Sequence, residues 1–120
     1  MVGTGGFAGS ACRYLFYEIA RKWAAPMILP YVTMGVNVLG CLMIGFLGGL
    51  SETRDLFSPE TRALVFIGFL GGFTTFSTFG YEIFTMARNG LFFQAAATMA
   101  VHLTAGISAV WIGFCLSRLG

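Results

Sequence analysis

Between Gly71 and Gly80 the chain reads Gly-Gly-Phe-Thr-Thr-Phe-Ser-Thr-Phe-Gly, with four hydroxyl side chains in five positions and a phenylalanine at every third residue. Hydroxyls and backbone groups at this density are suited to holding an ion rather than to breaking bonds. Two adjacent glycines weaken a helix, and Ser and Thr offer the main chain competing hydrogen bonds. The apolar residues before and after the stretch make it read as one membrane crossing interrupted in its middle. In hydrocarbon, free N–H and C=O groups are tolerated only where protein buries them or where they line a polar cavity, so the interruption predicts an ion or substrate site near the midplane. The end of the first half-helix would offer carbonyls to a cation, and the start of the second would offer N–H groups to an anion.

Other residues extend this chemistry. Thr33 and Asn37 lie four apart, on one face of a second apolar segment. The amide of Asn37 has two readings, an inter-helix hydrogen bond, which is the ordinary one, and a pore-lining donor. Phe76 and Phe79 belong to an aromatic stripe, usually a sign of packing. Ring edges are partially positive, however, and beside Asn37 and hydroxyls from Thr33, Ser77 or Thr78 they would contact a small anion without over-binding it. Carbonyls of Gly71 and Thr74 brought together from two copies would give four oxygens, enough for a small hard cation such as Na⁺. Arg13 lies deep in the first apolar segment, where an unshielded charge costs about 2.5–3.5 kcal/mol. It reads either as a snorkelling side chain or as part of an anion vestibule.

The elements that must position these groups follow from composition. Of 120 residues, 57% are hydrophobic and only 10% charged, and the mean hydropathy is +0.80. The fold class is therefore an all-α integral membrane protein, one domain over 1–120 with four transmembrane helices and the third broken near midplane. The expected spans are 2–20, 31–50, 60–88 with the break at 71–78, and 91–116. Arg21, Lys22 and Trp23 mark an interface, followed by a loop through Pro26 and Pro30. Gly5 and Gly9 have the spacing that lets helices approach closely, and Gly40, Gly45, Gly48 and Gly49 offer the same in the second span. Residues 51–60 form the most charged stretch, in which Ser58-Pro59-Glu60 is a helix-start signal. The fourth span carries Thr98, His102 and Ser108.

Counting basic loop residues gives Arg54, Arg62 and Arg118 on one side and Arg21, Lys22 and Arg88 on the other, three each. Such a balance gives no preferred orientation, so the chain is expected to insert both ways and form an antiparallel, dual-topology homodimer. The net charge of +2 is too small to imply nucleic acid. Cys12, Cys41 and Cys115 have no ligand or redox spacing and read as packing residues. His102 lacks companions for a metal, and no segment pairs a nucleophile with a base, so the chain does not read as an enzyme.

The motifs at 71–79, Val-Asn-Val-Leu-Gly at 36–40, Gly-Ser-Ala-Cys-Arg-Tyr at 9–14 and Ala-Val-Trp-Ile-Gly at 109–113 together resemble the Fluc (CrcB) fluoride channels over nearly the whole chain. The resemblance implies passive export of fluoride from the cytoplasm through a multi-pass protein of the cell (inner or plasma) membrane. It implies an antiparallel homodimer in the lipid bilayer with a central structural Na⁺ on main-chain oxygens of Gly71 and Thr74. Two fluoride pores would each be lined by Asn37, Phe76 and Phe79, with Ser77 and Thr78 nearby and Thr33 one turn away. Arg13 would stand near an aqueous vestibule, Glu82 would match the acidic residue after the motif, and Thr98 and His102 would occupy a polar track that commonly holds tyrosine and serine. The competing reading is a proton-coupled small multidrug exporter, which needs a carboxylate in the middle of the first span. Glu18 lies too near that span's end.

Overall fold

The computed structural model describes residues 1–23, 29–54 and 57–119. The described residues are helical almost throughout. Helix α1 runs Val2–Trp23, α2 Leu29–Arg54, α3 Pro59–Arg62, α4 Gly71–Phe73, α5 Phe76–Arg88 and α6 Phe92–Ser117, and the segment Ala63–Leu70 joining α3 to α4 is π-helical. From α3 to α5 the chain forms one column with a gap at Thr74 and Thr75. Three stretches, Tyr31–Arg54, Pro59–Arg88 and Phe92–Ser117, are long and apolar enough to cross a membrane. Helix α1 is long enough, at 22 residues, but its glycines and the charges of Arg13 and Glu18 dilute its apolar character. It packs along the third column instead of relying on hydropathy alone.

Several element ends have local causes. Ser58 caps α3, its Oγ accepting from the Thr61 N–H at 3.2 Å, with Pro59 at the first helical position. Helix α5 ends in a Schellman turn: Gly90 has φ +82°, its N–H donates to the Ala87 carbonyl at 3.0 Å, and the Leu91 N–H donates to that of Met86 at 2.9 Å. That turn sends α6 back beside α5. Two boundaries differ from the sequence reading. Helix α2 continues through Arg54, so the charged stretch begins as helix, with the Thr53 hydroxyl bonded to the Gly49 carbonyl at 3.0 Å. Pro30 lies within α2, whereas Pro26 and Asp55 lie outside the described residues.

The helices interlock in pairs through glycine. A Cβ at Gly9 would fall on the Phe69 carbonyl, and one at Gly72 would lie 2.7 Å from the carbonyl of Gly6, so α1 and the third column touch backbone to backbone. Likewise a Cβ at Gly45 would strike the Val110 carbonyl, and one at Gly113 the Leu42 carbonyl, sealing α2 against α6. Contacts advance together in both pairs, from Asn37 with His102 to Gly45 with Val110, so each pair runs parallel. The glycines expected to break the third span are thus partly packing residues. Gly71, with φ −62° and ψ −37°, is helical.

The interruption is narrower than expected, two residues, and is made by Asn37. The last regular bond is from the Thr74 N–H to the Leu70 carbonyl at 3.0 Å. The next N–H, that of Thr75, would bond to the Gly71 carbonyl in a continuous helix. It donates instead to Asn37 Oδ1 at 2.8 Å, while Asn37 Nδ2 donates to the Thr75 carbonyl at 2.8 Å. One side-chain amide thus replaces the helical partner of the Thr75 N–H and adds a second donor to the Thr75 carbonyl, which as N-cap also accepts the first bond of α5, leaving the Gly71 carbonyl outside the ladder. Thr75 then caps α5, its Oγ1 accepting from the Thr78 N–H at 3.2 Å.

Two stability outcomes follow, both measurable by denaturation in detergent micelles. Gly45→Ala is expected to destabilise by about 1–3 kcal/mol because Cβ meets backbone, whereas Gly48→Ala, where a Cβ meets nothing within 4 Å, should be neutral or better by up to about 1 kcal/mol. Equal behaviour of the two would refute the interlock. Asn37→Ala should cost roughly 2–6 kcal/mol, since it leaves the Thr75 N–H and His102 Nε2 unmet at about 1–3 kcal/mol each. Thr75→Ala removes only the cap, about 1 kcal/mol; the reverse order would show that the amide does not hold the break.

Candidate functional site

The break, α2 and α6 enclose a groove of about 390 Å³, open on one side and mostly apolar, reached by Asn37, Gly71, Thr74, Thr75, Phe76 and His102. Three elements meet there because each brings a different necessity. The third column brings backbone that is not paired within its own helix, α2 brings the amide that pairs it, and α6 brings an imidazole against that amide. Asn37 Nδ2 lies 3.0 Å from His102 Nε2. Asn37 therefore does what the ordinary reading expected, bonding across helices to two elements at once, and it also lines the groove.

The aromatic residues divide by role. Phe73 and Phe79 are buried, at 4% and 6% exposure, whereas Phe76 is 77% exposed. The rings of Phe76 and Phe79 meet edge to face with centroids 5.7 Å apart, and Phe79 lies against the His102 ring at 3.9 Å. A line of rings thus leads from an exposed phenylalanine to a buried histidine. Beside it Ser77 is exposed and Thr78 half-buried; the Thr75 hydroxyl donates to Thr78 Oγ1 at 3.1 Å and lies 3.5 Å from Ser77 Oγ.

One helical turn from Asn37, a second polar cluster crosses three helices. Thr33, wholly buried, donates to Glu82 Oε2 at 2.8 Å, tying α2 to α5, and Tyr17 of α1 bonds to the same threonine hydroxyl. The sequence placed Thr33 on the face of Asn37 and Glu82 beyond the motif but did not bring them together. Tyr17 was missed, as was Thr75, which was one hydroxyl among several. For Tyr17 a signal existed: it stands four residues after Arg13, on the same face of α1. Arg13 itself is half-buried, and Thr98 lies one turn before His102.

Glu18, the carboxylate of the competing reading, is paired with Arg21 at 2.8 Å near the end of α1. Among the described residues no group of three or more His, Cys, Asp or Glu converges as a metal site. A hard cation at the break would be met by neutral oxygens, main-chain carbonyls and hydroxyls. The Gly71 carbonyl, released from the helical ladder, is of the right kind for a hard ion.

The chemistry here is that of a set of neutral donors and acceptors inside apolar walls. Such a set suits a permeating or resident ion and offers no nucleophile with its base. Comparison with known proteins agrees. The family profile described as "CrcB-like protein, Camphor Resistance (CrcB)" matches residues 1–114. The chain is 39% identical over 119 residues to a protein of Methylobacillus flagellatus named fluoride-specific ion channel FluC, covering 99% of this chain and 93% of that one. Proteins of the same name from Prosthecochloris aestuarii and Nitratidesulfovibrio vulgaris are each 41% identical over 119 residues, with 99% of this chain and 91% and 95% of theirs covered. The similarity runs through both halves of the broken column and the helices that hold it, and this multi-pass bacterial membrane protein belongs to the CrcB-like family.

Proposed function

We propose that the chain is a passive, fluoride-selective ion channel, not an enzyme, that lets fluoride leave the cytoplasm and so relieves its toxicity. The observation that carries this reading is the two-residue break held by Asn37 beside the exposed Phe76. It provides amide, hydroxyl and ring-edge donors with no fixed cation among them, the moderation a conducting anion site needs. The names of the relatives, fluoride-specific ion channels, supply the ion.

In this reading two copies associate antiparallel, in dual topology, and the open groove is where they meet. Each copy contributes one pore lined by Asn37, Phe76 and Phe79, with Thr33, Ser77 and Thr78 along it. Arg13 and Glu82 stand at a vestibule, and Thr98 and His102 continue the polar track. Carbonyls of Gly71 and Thr74 from both copies hold a structural Na⁺ that neutralises their convergence. The exporter alternative loses its support because Glu18 is already engaged with Arg21.

The test is efflux from liposomes carrying the purified protein. Fluoride should be lost rapidly, chloride retained, and neither should depend on a proton gradient or a drug cation. Phe76→Ile, at a position 77% exposed, should leave the fold intact. It should slow fluoride by more than about tenfold, equivalent to about 1.4 kcal/mol at the narrowest point. Unchanged efflux in this variant would remove Phe76 from the pore, and proton-coupled cation movement would replace the channel reading.

A further inference from the structure

Asn37 fixes more than the break. The Thr75 N–H donates to its Oδ1, so the other end of the amide is the NH₂ group, and that group faces both the Thr75 carbonyl and His102 Nε2. A donor facing Nε2 requires Nε2 to be the acceptor. A neutral imidazole accepting at Nε2 carries its proton on Nδ1. The tautomer of His102 is thus set, through Asn37, by a backbone N–H on another helix.

Nδ1 is buried and has no hydrogen-bond partner among the described residues, while the residue as a whole is 7% exposed and lines the groove. The hydrogen bonds of the Asn37 cluster engage the Thr75 carbonyl, Asn37 Oδ1 and His102 Nε2 and do not reach Nδ1. An N–H donor buried in an apolar groove needs an acceptor there, and an anion is an acceptor that brings no hydrogens of its own to satisfy. Resting on the channel reading, we infer that His102 Nδ1–H is a binding donor for a small desolvated anion, fluoride in this protein. The Phe79 ring, tilted against the imidazole at 3.9 Å, narrows the space beside it. His102 is then a ligand of the permeating ion and not packing alone, and its donor is positioned by Asn37 without a formal charge.

His102 is the only histidine, so whole protein labelled with ¹⁵N-histidine gives one imidazole to read by NMR in lipid nanodiscs. The expected spectrum is protonated Nδ1 with unprotonated Nε2, and a saturable shift of Nδ1 with sodium fluoride but not with sodium chloride. In liposomes, His102→Gln keeps an acceptor near the place of Nε2 and loses the Nδ1 donor, so fluoride efflux should fall at least about tenfold. His102→Asn, with an amide nitrogen near the place of Nδ1, should keep more of it. Protonated Nε2, an Nδ1 indifferent to fluoride, or His102→Gln efflux equal to wild type would overturn the inference even where the wild type conducts fluoride. Wild-type protein that passes no fluoride but shifts at Nδ1 would overturn the channel reading alone.

Discussion

Every part of this structure depends on the rule that a backbone N–H or C=O within the bilayer needs a partner. A helix meets that rule unaided, so the chain can leave the helix only where something else supplies the bonds. At Thr75 that something is Asn37, whose amide presents acceptor and donor in the geometry of a neighbouring peptide. Two residues can therefore leave the helix where eight could not, because one amide serves one peptide pair. The narrowness of the break follows from the number of partners available.

Holding Asn37 at that distance sets the demands on everything around it. Helix α2 must run close to both the third column and α6, and backbone contact at Gly45 and Gly113 brings α2 and α6 together. Gly40 makes the corresponding concession toward the break, where a Cβ would strike the Thr74 methyl. On the far side, Gly9, Gly68 and Gly72 let α1 lie flush against the third column. These glycines trade helix propensity for proximity, a favourable exchange where the bilayer itself already enforces helix.

How far this was readable in the sequence varied with the kind of information. Composition sufficed for a helical membrane protein, and Ser58-Pro59-Glu60 marked its helix start because capping is local. The hydroxyl-rich motif located the break, but its width did not follow from the motif. Of the two local causes the motif offers, weak glycines and competing hydroxyls, Gly71 is helical and the Thr75 hydroxyl caps α5, and the break is fixed from 38 positions away by Asn37. Asn37 stood out as an amide in a span, yet its partner was a backbone group, which carries no side-chain signature. His102 was placed on the fourth span without its tie to Asn37, and Tyr17, Thr33 and Glu82 were not read as one cluster, for the same reason. Periodicity tells which residues share a face, not which faces meet.

The break also leaves one short stretch with helix ends of both signs. Up to Thr74 the column ends in carbonyls that have lost their helical partners, the negative end of a dipole. From Phe76 it begins again with N–H groups facing back toward the gap, the positive end of another, and the Thr75 hydroxyl takes only that of Thr78. A continuous helix would cancel these ends against each other along its length; a two-residue gap exposes both and turns them apart. Cation-favouring and anion-favouring surfaces thus arise together from a single interruption and without a charged side chain at the gap. Loss of the amide that holds the gap would remove both at once, because both ends exist only while Thr75 is kept out of the helix.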